Sequence, residues 1–557
     1  MAWIDEANKH VNEPGAVFEL DLSPTRQYSI DIIRPTNAAP IKGNVLKLPN
    51  VSNSIGGILR TLEFSKITVE LDDTDNEFRT LIGPGGDGLK NKVARIKVPF
   101  INISYATHAK TIFIGKVYSA TQLPNMRFRI VCEQNSKNLT NRYPEKTVEL
   151  TDYPNVPAGI SGTLILEPYG EITDFGGAGK GPWGTIMVDD TVGAEIHLVG
   201  RQTAAITVDR VYLDILDGNP PTLQTEGAGN DYQIATQVID GHTHTEIRWE
   251  ATAAVSPTIL DVVTCDISFG TREVCEAWKH YLESFCGYVN ADFDAVSYAT
   301  AHAKGVSRNY IAKGAFKDQK ELVSLRDDLC REFEVDIWWE PTDGLVHFNY
   351  FSSWVAPTVH YYDYKDILEG YAPNNDSTNI VNYQRVGYNY DFSSRVYRNY
   401  TTKQNAASIA KYGATFRGDF KGFYFVRDAS VAGDLAARVV LLRKDPIALD
   451  EFPLPIKGMN VDLAGVIQIT HFEGKGASGY EGSTFQVRKT VYDLDNFIAR
   501  LQLLDYSNFI GGAFILGPAT LLKFTLESTA NKVKYGFVCD PVTEQYSDGS
   551  EAKRLYD

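Results

Sequence analysis

Short stretches in which apolar and polar residues alternate recur along the chain, and they restrict its fold more than any other feature. Ile67, Val69 and Leu71 alternate with Thr68 and Glu70, and Ile96, Val98 and Phe100 alternate with Arg95, Lys97 and Pro99. A period of two gives a strand one buried and one wet face. Thr111 to Tyr118 adds a nearly continuous apolar run around Gly115, and Phe128, Ile130 and Cys132 alternate with Arg127, Arg129 and Val131. Turn chemistry separates these runs at Asp72-Asp73-Thr74-Asp75-Asn76 and at Gly83-Pro84-Gly85-Gly86-Asp87-Gly88. The region up to about Asn138 therefore reads as a small barrel or sandwich.

The pattern continues beyond it. From Tyr153 to about Ala254 a Gly- and Pro-rich stretch carries strand-like pieces at Gly162 to Leu166, Thr185 to Val188, Glu195 to Val199 and Ala205 to Leu213. Helical spacing enters next. Thr271 can cap a helix with Val274, Trp278, Tyr281, Leu282 and Phe285 on one face, and Asp318 with Glu321 forms a capping-box pattern ahead of Leu322, Leu325, Leu329 and Phe333. Val335 to Glu340 and Leu345 to Tyr350 flank Pro341-Thr342-Asp343-Gly344, a hairpin signal. After Asn382 to Tyr390, Ser430 is placed to cap a helix that must stop near Asp445-Pro446, and strands follow over Leu463 to Thr470, Phe485 to Tyr492 and Phe497 to Leu504. Leu521 to Leu526 and Lys532 to Val538 are further candidates in the last segment.

At 557 residues the chain exceeds what one core supports, so several domains are expected. Thirty Tyr and 27 Phe against 4 Met favour strands over Leu-rich bundles. The expected class is mainly β with some α, divided as 1–150 (β), 151–255 (Gly/Pro-rich β), 256–370 (α+β), 371–506 (β) and a 507–557 extension. A net charge of -16 argues against a phosphate-gripping surface, because such surfaces gain affinity by releasing counterions to Lys and Arg. Neither non-specific nor sequence-specific nucleic-acid binding is expected. The six cysteines, Cys132, Cys265, Cys275, Cys286, Cys330 and Cys539, include no Cys-x-x-Cys and read as reduced thiols, which fits assembly in a cytoplasm. The first residues lack the pattern of a signal peptide, and Phe509 to Leu522, broken by Gly511, Gly512, Gly517 and Pro518, is too short to span a bilayer.

The motifs that could carry chemistry are weak. On a strand, His242, His244 and Glu246 would share a face and could ligate a metal, but no further ligand cluster accompanies them. Asp73-Thr74-Asp75-Asn76-Glu77 opens like a calcium loop, yet Phe78 stands where the sharp turn needs Gly and Pro84 where a bidentate Glu is needed. An acidic hairpin turn is the expectation there. Gly179-Lys180-Gly181 fails as a phosphate loop, with Asp174 at the first Gly position and Gly181 where Ser or Thr must hold magnesium. It reads instead as a flexible Gly-rich loop. Neither Gly-x-Ser-x-Gly nor His-Glu-x-x-His occurs. No catalytic, cofactor-binding or metal residue is assigned, and a non-enzymatic role is expected. In Trp338-Trp339, Tyr361-Tyr362-Asp363-Tyr364 and Phe423-Tyr424-Phe425, one neighbour of each pair is expected in the core and the other free for contact.

Three stretches resemble the hub family of long-tailed bacteriophages, proteins that close the tail tube as trimeric rings. The first is Ile67 to Phe78 with its acidic turn, followed by Ile112-Phe113-Ile114-Gly115-Lys116-Val117. The second runs from Asp327 through Phe333 to Gly344 and Phe348. The third joins Val381 to Tyr388, the helix ending at Lys444-Asp445-Pro446, and Met459 to Thr470, with Val466 at a position that is often acidic in hubs. The region from Gly162 to Leu213 is also similar to a domain of some non-contractile tails. The resemblance implies two tail-tube-type barrels, early and late, in a homotrimer. Its implied partners are a distal tail protein or tube ring, a tape measure protein in the lumen, and a tail fibre or central spike. It implies a place in the virion at the tail tip. The alternatives are a receptor- or glycan-binding tail protein and a polysaccharide-active hydrolase.

Overall fold

The computed structural model describes Ala7 and residues 14–505 apart from 23, 31–40, 42, 56–65, 83–87, 101–103, 135–140, 174–179, 216–219, 254, 351–356, 358, 369–370, 372–379, 447–448 and 475–478; beyond 505 it describes 537–538 and 553–554. The strand candidate Leu521 to Leu526 and most of Lys532 to Val538 lie outside these residues, as do Cys539 and most of the Gly-rich loop. The chain is mainly β and multi-domain.

The alternating runs near the N-terminus form one antiparallel seven-stranded sheet. Its order is Arg26–Ser29, Val17–Leu20, Val93–Val98, Lys110–Leu123, Arg127–Gln134, Lys66–Asp72, Val45–Lys47. Ile67, Val69, Leu71, Phe128, Ile130 and Cys132 are all fully buried on its inner face, as their period of two demands. Gly115 sits in mid-strand because a Cβ there would overlap the Glu133 carbonyl and the Phe113 ring. The acidic turn leads into a helix, Glu77–Ile82, and not into a hairpin. Asp73 is buried and its carboxylate accepts the Phe78 N–H at 2.8 Å, an N-terminal role that suits a short acidic residue.

The C-terminal sheet has six strands. Five follow the order Val359–Tyr362, Val466–His471, Tyr480–Asp493, Ile498–Asp505, Leu449–Leu454, and the sixth, Val51–Ser54, comes from the N-terminal region and pairs with Tyr480–Asp493. One hydrophobic core spans both sheets, with Val51, Phe128 and Ile130 in the same cluster as Phe452, Tyr492 and Leu501.

The middle of the chain forms two further β sheets and an α+β unit. Gly170–Ile172, Val262–Phe269, Thr207–Asp214 and Thr222–Leu223 make one sheet, with Trp183–Gly184 also on Val262–Phe269. Ile186–Asp189, Ile196–Gln202, His242–Trp249 and Tyr232–Ile239 make the other, and the two share a core around Trp183, Val199, Val211, Ile247 and Cys265. Gly162 to Leu166 forms no strand; Leu164 makes an isolated bridge to Thr147.

In the α+β unit, helices Val274–Phe285, Ala295–Ser307 and Leu322–Phe333 pack with the hairpin Val335–Trp339/Val346–Tyr350. The sheet Val396–Gln404, Tyr383–Asp391, Lys421–Gly422 and the helix Ala429–Arg443 contribute to this same core through Val386, Phe423, Val431 and Leu435. The caps differ from expectation. Glu273, not Thr271, caps the first helix, its carboxylate accepting the N–H groups of Cys275 and Glu276, and Asp428, not Ser430, caps the last. The capping box expected of Asp318 and Glu321 does not form, because Lys320–Glu321 is a strand paired with Arg142–Tyr143 and the helix begins only at Leu322, where Glu321 is the N-cap residue and makes no side-chain cap.

Candidate assembly site

Each large sheet contains the same four-strand unit. In chain order the N-terminal unit is Lys66–Asp72, Val93–Val98, Lys110–Leu123 and Arg127–Gln134, and the C-terminal unit is Leu449–Leu454, Val466–His471, Tyr480–Asp493 and Ile498–Asp505. In both, the second strand pairs with the third, the third with the fourth, and the fourth with the first, all antiparallel. A helix separates the first two strands in each, Glu77–Ile82 in one and the 3-10 turn Ile456–Asn460 in the other.

The equivalence extends to register. Aligning Arg127 with Ile498 makes Ile67↔Cys132 correspond to Asp450↔Leu503, and Gly115↔Gln134 to Phe485↔Asp505. Both long strands are bulged at the same place, at Tyr118 and at Arg488. Left-handed residues recur as well: Asn91 (φ 66) matches Ala464 (φ 58), and Met126 (φ 56) matches Phe497 (φ 52). Asn91 and Lys92 bond Val117 as Ala464 and Gly465 bond Val487, each with two backbone bonds of 2.9 Å. A shared bulge and shared left-handed positions are specific devices, so this is one module built twice.

The α+β hairpin is wedged between the modules. At its base, Asp336 takes both ends of the Arg488 guanidinium, at 2.7 and 3.1 Å, and both residues are buried. At its tip, the Ile114 N–H donates to the Pro341 carbonyl at 2.7 Å, and Gln134 bonds the Trp339 carbonyl. Arg488 is the bulged residue, so the bulge aims a long cation out of the ladder toward the hairpin.

The sequence candidates fall elsewhere, and each has a protein partner. The Nε2 atom of His242 lies 3.1 Å from the Ser284 carbonyl, and its ring stacks on Phe285. The Tyr153 hydroxyl is 2.9 Å from His244 Nδ1, and Glu246 holds Arg248 and Gln237. Among the described residues, no group of three His, Cys, Asp or Glu is placed to hold a metal ion. Trp338 and Trp339 are both buried, since the hairpin is covered on both faces; Tyr361 is buried while Tyr362 is 36% exposed. The five described cysteines are buried, and burial raises the Cys132 thiol to about 12. A cleft of about 550 Å³ lies between Trp183, Val199, Val262, Tyr390, Phe392 and Arg395.

His244 gives a pH prediction. Burial, reinforced by the Arg201 and Lys146 cations, lowers its pKa from 6.5 to about 4, with Asp152 opposing. The folded chain therefore binds fewer protons than the unfolded chain between about pH 4 and 6.5, so stability is full above this window and falls as pH is lowered through it. Melting temperatures measured across the window should drop more steeply for the native chain than for His244→Gln.

No family model matches the chain, and no curated protein matches it. Solved structures do. The crystal structure of the 43 kDa tail protein of prophage MuSo2 from Shewanella oneidensis is similar over 89% of this chain and 99% of that one, at a TM-score of 0.37 and 8% identity. A chain of the native gene transfer agent virion is similar over 64% of this chain and 87% of that one, at a TM-score of 0.36 and 12% identity. The prophage tail protein gp18 from Listeria monocytogenes EGD-e is similar over 53% of this chain and 94% of that one, at a TM-score of 0.27 and 10% identity.

Proposed function

We propose that the chain is a structural, non-enzymatic component of a phage tail that closes the distal end of the tail tube as a ring of three copies. The observation that carries this reading is the duplicated module. Three copies of a chain with two like modules present six near-equivalent faces on a threefold axis, which reconciles a sixfold tube with a threefold tip. The fused core of the two sheets and the wedged hairpin support a fixed spacing of the modules within each copy. One face of the ring would receive a distal tail protein or tube ring, the lumen a tape measure protein, and the far face a fibre or central spike. A net charge of -16 suits a conduit through which DNA slides without sticking. Cysteines held as buried thiols suit assembly in a host cytoplasm.

The glycan-binding alternative drew on aromatic clusters available for contact. Trp338 and Trp339 are both core residues, whereas Tyr362 is exposed beside the buried Tyr361 and Tyr424 is half-buried between the buried Phe423 and Phe425, so the Trp pair lends that alternative no contact surface. Electron microscopy of intact particles labelled with an antibody against this chain is expected to place it where the tube ends. Label confined to fibre tips would overturn the reading.

A further inference from the structure

The cleft of about 550 Å³ lies where the two middle sheets meet the turn between Tyr383–Asp391 and Val396–Gln404. Its volume falls within the roughly 300–1,000 Å³ that small-molecule sites occupy, and such sites gather at junctions between domains. Much of its wall is carbon. Trp183, Tyr390 and Phe392 are buried, and the Phe392 ring lies 5.0 Å from both Trp183 and Tyr390. The Trp183 indole N–H is spent on the Val199 carbonyl at 2.7 Å, so this ring offers the cleft only carbon.

One buried polar side chain in the lining is half satisfied. His197 is 2% exposed, and the Trp249 indole donates to its Nδ1 at 3.1 Å. An indole can only donate, so Nδ1 is the bare nitrogen and the ring hydrogen sits on Nε2. Burial lowers the His197 pKa to about 3, with Asp261 opposing, so the ring is neutral and Nε2 stays a donor. Nε2 has no hydrogen-bond partner among the described residues. A buried donor of this kind costs free energy until something accepts from it. Asp261 is close enough for its charge to act on the ring, and its Oδ2 takes the Thr258 N–H and hydroxyl at 2.7 and 2.8 Å. Its Oδ1 is left as an acceptor.

The charges in the lining cancel. Lys317 and Arg395 stand against Asp261 and Asp318, a balance that favours neither an anion nor a cation. A wholly apolar ligand would leave the His197 N–H unpaired. What fits is a neutral molecule with both apolar faces and hydroxyl groups. A peptide is also amphipathic, but bound peptides are held chiefly by main-chain bonds along a sheet edge, whereas His197 and Asp261 act through side chains. We propose that this cleft binds a neutral saccharide, one hydroxyl accepting from His197 Nε2, another donating to Asp261 Oδ1, and a C–H face of the sugar lying on Tyr390 and Phe392. This site and the tail-end reading stand independently, and either can fail alone.

Saturation-transfer NMR of the full chain, with glucose, galactose, N-acetylglucosamine, maltose and lactose as probes, should detect binding of at least one. Thr163 is exposed and lines the cleft, so Thr163→Trp should fill it, weaken that binding roughly tenfold or more, and melt with the native chain. His197→Phe keeps a ring but removes both nitrogens, and should also weaken binding roughly tenfold. Because that change also unpairs the Trp249 N–H and can lower stability, Thr163→Trp decides the matter. A diazirine derivative of the bound sugar should label residues 183–199 or 259–263. Failure of every probe to bind, binding indifferent to Thr163→Trp, or label elsewhere would overturn the proposal. Uptake of short neutral peptides without any sugar would overturn it as well, and would assign the cleft to a peptide.

Discussion

Replacing Asp336 with alanine should destabilise the chain by about 3–5 kcal/mol, because it takes the carboxylate from a cation that is only 1% exposed. Asp336 and Arg488 are separated by 152 positions, and their paired bonds of 2.7 and 3.1 Å tie the α+β hairpin to the C-terminal sheet. Gln486 accepts a further bond from the same guanidinium at 3.1 Å, so the arginine is held in one orientation. Much of the expected loss comes from leaving a buried charge without its counter-ion, and much less from the attraction itself. The double variant Asp336→Leu with Arg488→Met should therefore recover a large part of the loss. Denaturant unfolding of the three variants checks this. A loss under about 1 kcal/mol in Asp336→Ala would mean that the guanidinium finds other compensation.

Val51→Asp should cost about as much, on the order of 4 kcal/mol, and through a different mechanism. Val51 is fully buried in the core common to both modules, and a carboxylate there must either be desolvated or drag the crossing strand into water. Val51→Ala should cost about 2 kcal/mol, the loss of part of a buried apolar side chain. Limited proteolysis should show which outcome occurs. Detachment of the strand would expose the bonds flanking residue 51 to cleavage while leaving the rest of each sheet resistant. Equal protection in Val51→Asp and the native chain would sink the claim that this strand joins the modules.

The strands themselves were legible. Ile67, Val69 and Leu71, or Phe128, Ile130 and Cys132, point inward because local alternation determines which face can be buried, and no distant residue is needed to see it. Helix ends were read less well. Thr271 and Ser430 lost to Glu273 and Asp428, because a cap is chosen by which side chain reaches the free N–H groups once tertiary packing has set the entry of the chain. Glu273 also accepts the Tyr350 hydroxyl and lies 3.2 Å from His302, and Gly305 is required where a Cβ would overlap its carboxylate. Those constraints join residues far apart in sequence. The helix Glu77–Ile82 was hidden inside what read as a turn, since Asp73 serves either role equally well.

Two like modules were implied by the family resemblance, but the duplication was not legible in the residues themselves. Leu71 and Leu454 coincide, as do Val93 and Val466, but Gly115 matches Phe485, Tyr118 matches Arg488 and Ile67 matches Asp450. What the modules share is backbone: register, bulge position and left-handed residues, each of which many side chains can satisfy. By itself the sequence determined a multi-domain β protein, because period-two burial and turn chemistry act over neighbouring residues. Only the tertiary structure decided that the two modules are the same and that Val51–Ser54 joins a sheet built mostly from residues beyond 440. Strand pairing depends on which distant surfaces bury each other best, and that sum is made only when the chain is folded.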